Sequence, residues 1–311
     1  MPPRPSNNGN IQMHTPAAAS PFDLTRQDAY IAWRSQKLAQ HPTRLSDITV
    51  GLRDPAHLRA VERSQLLAAI ARCNMVAFRI TPNEGDPLPM LLALGEQLGL
   101  HRIDRNLCAA DQGITPITVR DTATDKAYIP YTNRPLSWHT DGYYNAPERT
   151  IRAWLLYCAA DAAEGGENEL LDHEVAYIRL RDENPDFIRA LMAPDAFTIP
   201  ANDEGGAEIR PDTTGPVFSV DPHSGALHMR YSARKRNVVW KDDPLTRAAA
   251  DALTRLFSEG DALIFRHRLA PGEGILSNNV LHRRDGFRDD PATGHKRLVY
   301  RARYYDRIAA A

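Results

Sequence analysis

The sequence predicts a mainly β protein with helices, an α+β fold in which a helical N-terminal part packs on a sheet-rich core. Three observations carry this. Two runs with helical spacing precede residue 75, the pattern switches to short strand-like runs from about Gly113, and neither an internal repeat nor a Gly/Ser-rich linker separates the two regions. Residues 1–20, rich in Pro, Asn, Gly and Ser, read as a flexible N-terminal tail, and residues 21–311 as one domain.

Phe22, Leu24, Tyr30, Ile31, Trp33 and Leu38 recur at roughly helical intervals until His41-Pro42 ends the run. After Asp54-Pro55 the same spacing returns in Leu58, Val61, Leu66, Leu67 and Ile70, predicting a second amphipathic helix. Met75 to Ile80 is a short apolar run closed by Thr81-Pro82 and reads as a strand, while Leu88 to Leu98 is helical again. Strands are expected over Ile114–Val119, Tyr128–Tyr131, Ile151–Tyr157, Glu169–Leu171, Val217–Val220, Leu263–Arg266 and Arg297–Tyr305. Two helices, Val175–Met192 and Leu245–Phe257, interrupt them, and the Gly, Asp and Pro content of Asn202–Gly215 predicts a surface loop.

Composition excludes several classes. With 42% hydrophobic and 25% charged residues the chain can bury a core, and a net charge of -1 argues against a partner recognised by excess cationic charge alone. Cys73, Cys108 and Cys158 are odd in number and lack a CxxC pair, which suits a reducing cytoplasm and neither a disulfide framework nor a thiolate zinc site. No secretory signal or apolar run of membrane-spanning length is expected, and a homo-oligomer is left open.

The chemistry starts at Ser137-Trp138-His139-Thr140-Asp141. On an extended strand, side chains two apart share a face, so His139 and Asp141 can reach one point while Thr140 faces away. The run Pro271 to His282 reads as a tight turn and then a strand with a histidine late in it; His282 is either a third metal ligand or a hydrogen-bonded strand histidine. Two imidazoles and a carboxylate form the facial triad that leaves neighbouring positions open on iron(II). Arg297 follows far enough after His282 for a hairpin to bring it back beside that residue. Its guanidinium then either grips a carboxylate or pairs on a solvated face with Asp285, Asp289 or Asp290.

The succession YTNRPLSWHTD, AAEGGENELLDH, LSNNVLHRRDGF and HKRLVYRARYYD resembles the iron(II)- and 2-oxoglutarate-dependent oxygenases of the taurine dioxygenase superfamily over roughly Met75 to Asp306. In motif style it looks most like γ-butyrobetaine and trimethyllysine hydroxylases. The resemblance implies a double-stranded β-helix, or jelly roll, with Fe(2+), 2-oxoglutarate and O2 as the reacting set. His139, Asp141 and His282 are the implied iron ligands, and Arg297 the implied anchor of the far carboxylate of 2-oxoglutarate. Where the family has a Gly-Gly-Asp-Thr or Gly-Gly-Asp-Ser turn, this chain reads Gly165-Gly166-Glu167-Asn168, so an amide stands in place of the hydroxyl that helps hold the co-substrate. The implied reaction is hydroxylation of a small polar metabolite with release of succinate and CO2. A carboxylate at Asp141 argues against the halogenating relatives, which lack it.

For the substrate, the resemblance places Tyr131 where butyrobetaine enzymes enclose a trimethylammonium group; Tyr143 adds a second aromatic face, and Arg301 suits an acid instead. Two rival classes are carried. The stretch Arg230-Tyr-Ser-Ala-Arg-Lys-Arg-Asn-Val-Val-Trp-Lys241 interleaves cations and aromatics as a nucleic-acid binding or modifying factor would, and a His/Asp/His set can hold zinc in a non-oxygenase. His173, His223, His228 and His267 read as structural or surface groups.

Overall fold

A computed structural model describes residues 20–82, 85–105, 113–120, 129–204, 207–234 and 238–309. Helix α1 (Gln27–Gln40) ends where Pro42 pushes His41 into extended backbone. Strand β1 (Thr49–Gly51) and helix α2 (Ala60–Cys73) follow. At the start of α2 the Glu62 carboxylate accepts from the backbone of Arg59, and at its end Asn74 takes a left-handed conformation (φ 57°) that feeds the chain directly into β2 (Met75–Arg79). Helix α3 (Leu88–Gln97) completes the N-terminal part.

The remainder is mostly strand. In order come β3 (Thr115–Ile117), β4 (Leu136–His139), β5 (Ala153–Ala160), β6 (Glu164–Gly165) and β7 (Asn168–Leu171). Helices α4 (His173–Glu183) and α5 (Pro185–Leu191) intervene before β8 (Phe197–Ile199), β9 (Asn202–Glu204), β10 (Ala207–Arg210), β11 (Thr213–Gly215), β12 (Phe218–Val220), β13 (Leu227–Met229) and β14 (Val239–Trp240). Helix α6 (Pro244–Glu259) precedes β15 (Phe265–His267), β16 (Glu273–Ser277), β17 (Leu281–Arg284), β18 (Phe287–Arg288) and β19 (Leu298–Tyr304).

Two sheets frame the interior. The larger has the order β1-β2-β16-β5-β19-β3 and the smaller β15-β7-β17-β4; all pairings in both are antiparallel except β1 with β2. They face one another: Trp154 on β5 lies 4.9 Å, ring to ring, from His282 on β17. Outside the larger sheet, α2 and α3 contribute Leu66, Ile70, Leu91 and Leu94 to a core with Phe78 and Leu276. Beside the smaller sheet, Tyr177, Ile188, Phe197 and Leu253 build a second core with Leu281. Each fully buried side chain of this size contributes about 1.5–3 kcal/mol of transfer free energy. Helix α1 is fastened to this second core by a buried ion pair, Lys37 Nζ to Asp172 Oδ2 at 2.6 Å, shared with Glu174 at 2.5 Å.

Several expected elements differ. The Tyr128–Tyr131 strand is instead a single 3-10 turn over Ile129–Tyr131, with Tyr128 outside the described residues; Pro130 cannot donate to a ladder, and the Thr132 amide closes the turn on Ile129. Val175–Met192 is two helices, parted at Asn184, whose side chain caps α5 ahead of Pro185. Asn202–Gly215 is no loop: β9 and β10 pair as a hairpin and β11 joins β8, with Gly205 and Gly206 outside the described residues. The strand expected to run from Pro271 into His282 is broken at Asn278-Asn279, where Asn279 has φ 56° and the chain passes from β16 in one sheet to β17 in the other. Consequently β17 and β19 face each other from different sheets, and no hairpin joins His282 to Arg297. The expected tail falls outside the described residues up to residue 19, as does Cys108; Cys73 and Cys158 are buried free thiols.

Candidate active site

Between the sheets, ligand atoms of His139, Asp141 and His282 lie within 4.8 Å of one another, and all three residues are buried. Antiparallel register sets His139, the last residue of β4, opposite His282 on β17, and their rings are 4.2 Å apart. Asp141 is not on the strand but in the turn after it, while Thr140 faces away and accepts from the Tyr231 amide. Asp141 still reaches the same point: its Oδ1 is 3.7 Å from His139 Nε2.

The donor chemistry fits a divalent metal. Nδ1 of His139 bonds the Ser137 carbonyl (2.8 Å) and Nδ1 of His282 the Val280 carbonyl (3.0 Å), which assigns the ring protons to Nδ1 and leaves each Nε2 a lone pair. Burial, reinforced by the nearby His139, pushes His282 down to about 3, so its imidazole is neutral as a ligand must be. For Asp141, burial favours the neutral acid, but Arg301, His139, Arg303 and His282 together hold the carboxyl well below the usual range. Its Oδ2 is buried without a hydrogen-bond partner, an orphan that a cation would satisfy. Trp154 covers His282, and the edge of Tyr143 stands against His139 with centroids 6.4 Å apart.

The other expected residues take distinct positions. Arg297, 8% exposed, lines a cavity with Gly165, Gly166, Asn168, Cys158 and Val299, and its Nη1 is buried with no partner. It is not on a solvated face; only its backbone amide meets Asp289, at 3.0 Å. Glycine is required at 165: φ is +70° and a Cβ there would stand 2.3 Å from the Gly286 carbonyl oxygen. The Asn168 amide reaches the His267 carbonyl only at 3.4 Å. Arg301 projects to the triad, Nη1 to Asp141 Oδ1 at 3.3 Å, with its Nε buried and unpartnered. Tyr131 is buried with the Arg120 guanidinium 4.3 Å above its ring, a cation already on the face that a trimethylammonium would need.

Residues 35–303 match the family described as taurine catabolism dioxygenase TauD, TfdA family. The chain belongs to this family. Oxygenases of this family work with Fe(II), 2-oxoglutarate and O2. A uridine-5'-phosphate dioxygenase from Amycolatopsis sp. is 31% identical over 196 residues, 60% of this chain and 66% of that protein, so the match spans just under two thirds of the relative. Among solved structures, an asparagine oxygenase with Fe(II), 2S,3S-3-hydroxyasparagine and succinate has TM-score 0.57 at 19% identity, covering 93% of this chain and 86% of that one. A variant of the non-heme iron oxygenase OrfP with (3S)-hydroxy-L-Arg has TM-score 0.59 at 19% identity, covering 96% and 93%. A putative alpha-ketoglutarate-dependent taurine dioxygenase from Burkholderia xenovorans has TM-score 0.54 at 16% identity, covering 82% and 88%. These likenesses establish the jelly-roll fold.

Two buried polar residues on the segments that carry the triad escaped the sequence reading. The side chain of Asn279 accepts from the Asp141 amide (2.8 Å) and donates to the carbonyls of Asp141 (3.0 Å) and Ile151 (2.7 Å), clamping the backbone that carries the carboxylate. A polar pair inside an apolar run, Asn278-Asn279, was the available signal. Arg284, two residues past His282, is buried. Within the basic stretch, Arg230 donates to the carbonyls of Tyr143, Phe197 and Thr213 (2.7, 3.0 and 2.6 Å), Tyr231 is buried, Trp240 packs on Phe197 and Lys241 pairs on the surface with Asp195. Residues 235–237 lie outside the described residues.

Proposed function

We propose that this protein is a dioxygenase that hydroxylates a small polar metabolite bearing an acid group, with His139, Asp141 and His282 as the iron ligands and Arg297 as the anchor of 2-oxoglutarate. The observation that carries the reading is the convergence of two free imidazole Nε2 atoms and one orphaned carboxylate oxygen between the sheets; Arg297 adds a buried guanidinium with an unpartnered donor. When bound, iron(II) and 2-oxoglutarate supply the activation of dioxygen that couples oxidative decarboxylation, with release of succinate and CO2, to hydroxylation of a substrate carbon. The protein's part is placement. Arg297 and the Asn168 amide hold the co-substrate from the cavity at Gly165-Gly166. Trp154 and Tyr143 exclude water from the imidazoles, and Arg301 turns the acid group of the substrate toward the triad.

An anionic substrate is favoured over a betaine. Arg301 presents a positive charge at the triad and Arg120 covers Tyr131, so both would repel a quaternary ammonium. The relative named for uridine-5'-phosphate supports a phosphate as the acid. A small molecule is favoured as the partner over a nucleic acid, because Arg230, the first cation of the stretch expected to bind one, is spent on internal carbonyls. We place the enzyme in the cytoplasm, as one domain over residues 21–311, with self-association open to measurement; no helix among the described residues is long and apolar enough to cross a membrane.

Anaerobic loading with iron(II) and then 2-oxoglutarate, followed by oxygen-dependent succinate release across a panel of small acids, tests the reading. A weak visible charge-transfer band that requires both additions is expected. No band, or turnover that persists in Asp141→Ala, rejects the iron assignment.

A further inference from the structure

Adjacent arginines on β17 have opposite fates. Arg283 pairs on the outer side with Glu169 through Nε and Nη2, both at 2.7 Å. Arg284, 5% exposed, shares the inward parity of His282, and its partner in register on β7 is Asn168. Its Nη2 donates to the carbonyls of Thr132 (3.1 Å) and Arg134 (2.5 Å), but its Nε is buried with no hydrogen-bond partner.

A second unpartnered donor belongs to a guanidinium packed on the same ring. The guanidinium carbons of Arg284 and Arg297 stand 4.7 and 5.1 Å from the centroid of one ring, Phe287. Neither guanidinium has an ion pair among the described residues, and each offers one orphaned N–H, Nε of Arg284 and Nη1 of Arg297. Two buried positive charges on one ring, with no carboxylate between them, are costly unless an anion joins them. Burial, and then Arg297, push the Arg284 guanidinium toward losing its proton, the direction an intervening anion would reverse.

We propose that Arg284 is a second arginine of the 2-oxoglutarate site, completing with Arg297 a two-guanidinium clamp on the far carboxylate. The clamp compensates for Asn168, whose neutral amide stands where a hydroxyl would otherwise assist Arg297. Arg297 Nη1 and Arg284 Nε would be the donors to that carboxylate, with Phe287 packed against both guanidiniums. This inference rests on the proposed co-substrate role of Arg297, and the test separates the two.

Wild-type protein and the variants Arg284→Met, Arg284→Lys and Arg297→Ala are loaded anaerobically with iron(II). They are titrated with 2-oxoglutarate and with 2-oxopentanoate, which lacks the far carboxylate, and iron affinity is measured separately. Arg284→Met should weaken 2-oxoglutarate at least tenfold and 2-oxopentanoate little, with iron affinity unchanged; Arg284→Lys, which keeps the charge without the fork, should fall between. Unchanged 2-oxoglutarate affinity in both Arg284 variants overturns the clamp. So does an equal loss for the two oxoacids, which would reduce Arg284 to a brace for the Thr132–Arg134 segment. If Arg284→Met does not fold, the ratio of the two affinities in Arg284→Lys decides. An unaffected Arg297→Ala would overturn the underlying assignment instead.

Discussion

Arg230 separates a structural brace from a nucleic-acid contact, and its removal can be costed. Its guanidinium donates three hydrogen bonds, to the carbonyls of Tyr143, Phe197 and Thr213. Hydrogen bonds from a charged donor contribute about 1.5–3 kcal/mol each, roughly 4–9 kcal/mol in total. Against this stands the cost of taking the ion out of water, several kcal/mol; that cost is visible in the guanidinium itself, which burial pushes down to about 10. The net is about 2–4 kcal/mol, so Arg230→Met should lower the urea midpoint by that equivalent without changing the slope. Lysine restores only part, since one ammonium cannot span three carbonyls in different segments. Because the brace ends on Tyr143, whose ring edge meets His139, the folded variant should also bind substrate more weakly while holding iron normally. A midpoint within about 0.5 kcal/mol of wild type would refute the brace. If that came with lost affinity for single-stranded RNA or DNA, the nucleic-acid reading would return.

Four further outcomes are expected. His282→Ala should remove iron binding, read by equilibrium dialysis, and oxygen-dependent succinate release with it; retained stoichiometric iron would contradict its place as a ligand. Asn279→Ala should cut iron affinity about 10–100-fold by freeing the Asp141 backbone, and wild-type affinity would show the clamp to be dispensable. Lys37→Met should cost about 3–5 kcal/mol in chemical denaturation by leaving Asp172 buried without its cation beside the partly exposed Glu174, whereas Lys37→Met with Asp172→Asn should recover part; a neutral single variant would contradict this. Stability should also fall in acid. Hydrogen bonds from Arg59 and the Arg53 amide bring Glu62 down to about 2, the Ser224 and His223 amides bring Asp221 to about 2, and Lys37 holds Asp172 low against its burial. Folded-state values below the unfolded ones, 4.5 for Glu and 3.8 for Asp, mean that this stabilisation is complete above those values and is lost as pH falls toward about 2. Equal urea midpoints at pH 6 and pH 3 would contradict it.

What could be read from the residues alone depended on whether local periodicity decided the outcome. In β19 a period of two, a property of the strand itself, puts Val299, Arg301 and Arg303 on one face, whereas Arg297 lies just before the strand, beyond a register shift at Leu298/Val299. His139 and Asp141 were paired by the same rule, although Asp141 reaches the site from a turn. The facing of β17 and β19 was not legible, since it depends on Asn279 turning left-handed and carrying the chain from one sheet to the other, and Ser277-Asn278-Asn279 between apolar flanks resembles a continuing strand. The same limit hid Arg284. Arg283 and Arg284 are chemically identical, and a slip of one residue in the register of β17 against β7 would exchange their surroundings, giving Arg283 the interior and Arg284 the pairing with Glu169. Register is settled by Leu281, fully buried in the second core, and by His282 facing His139 across the smaller sheet. The residues that bring the imidazoles together therefore also decide which arginine is left inside without a counterion, so the metal-binding face and the anion-binding face of this site are set by one choice of strand pairing.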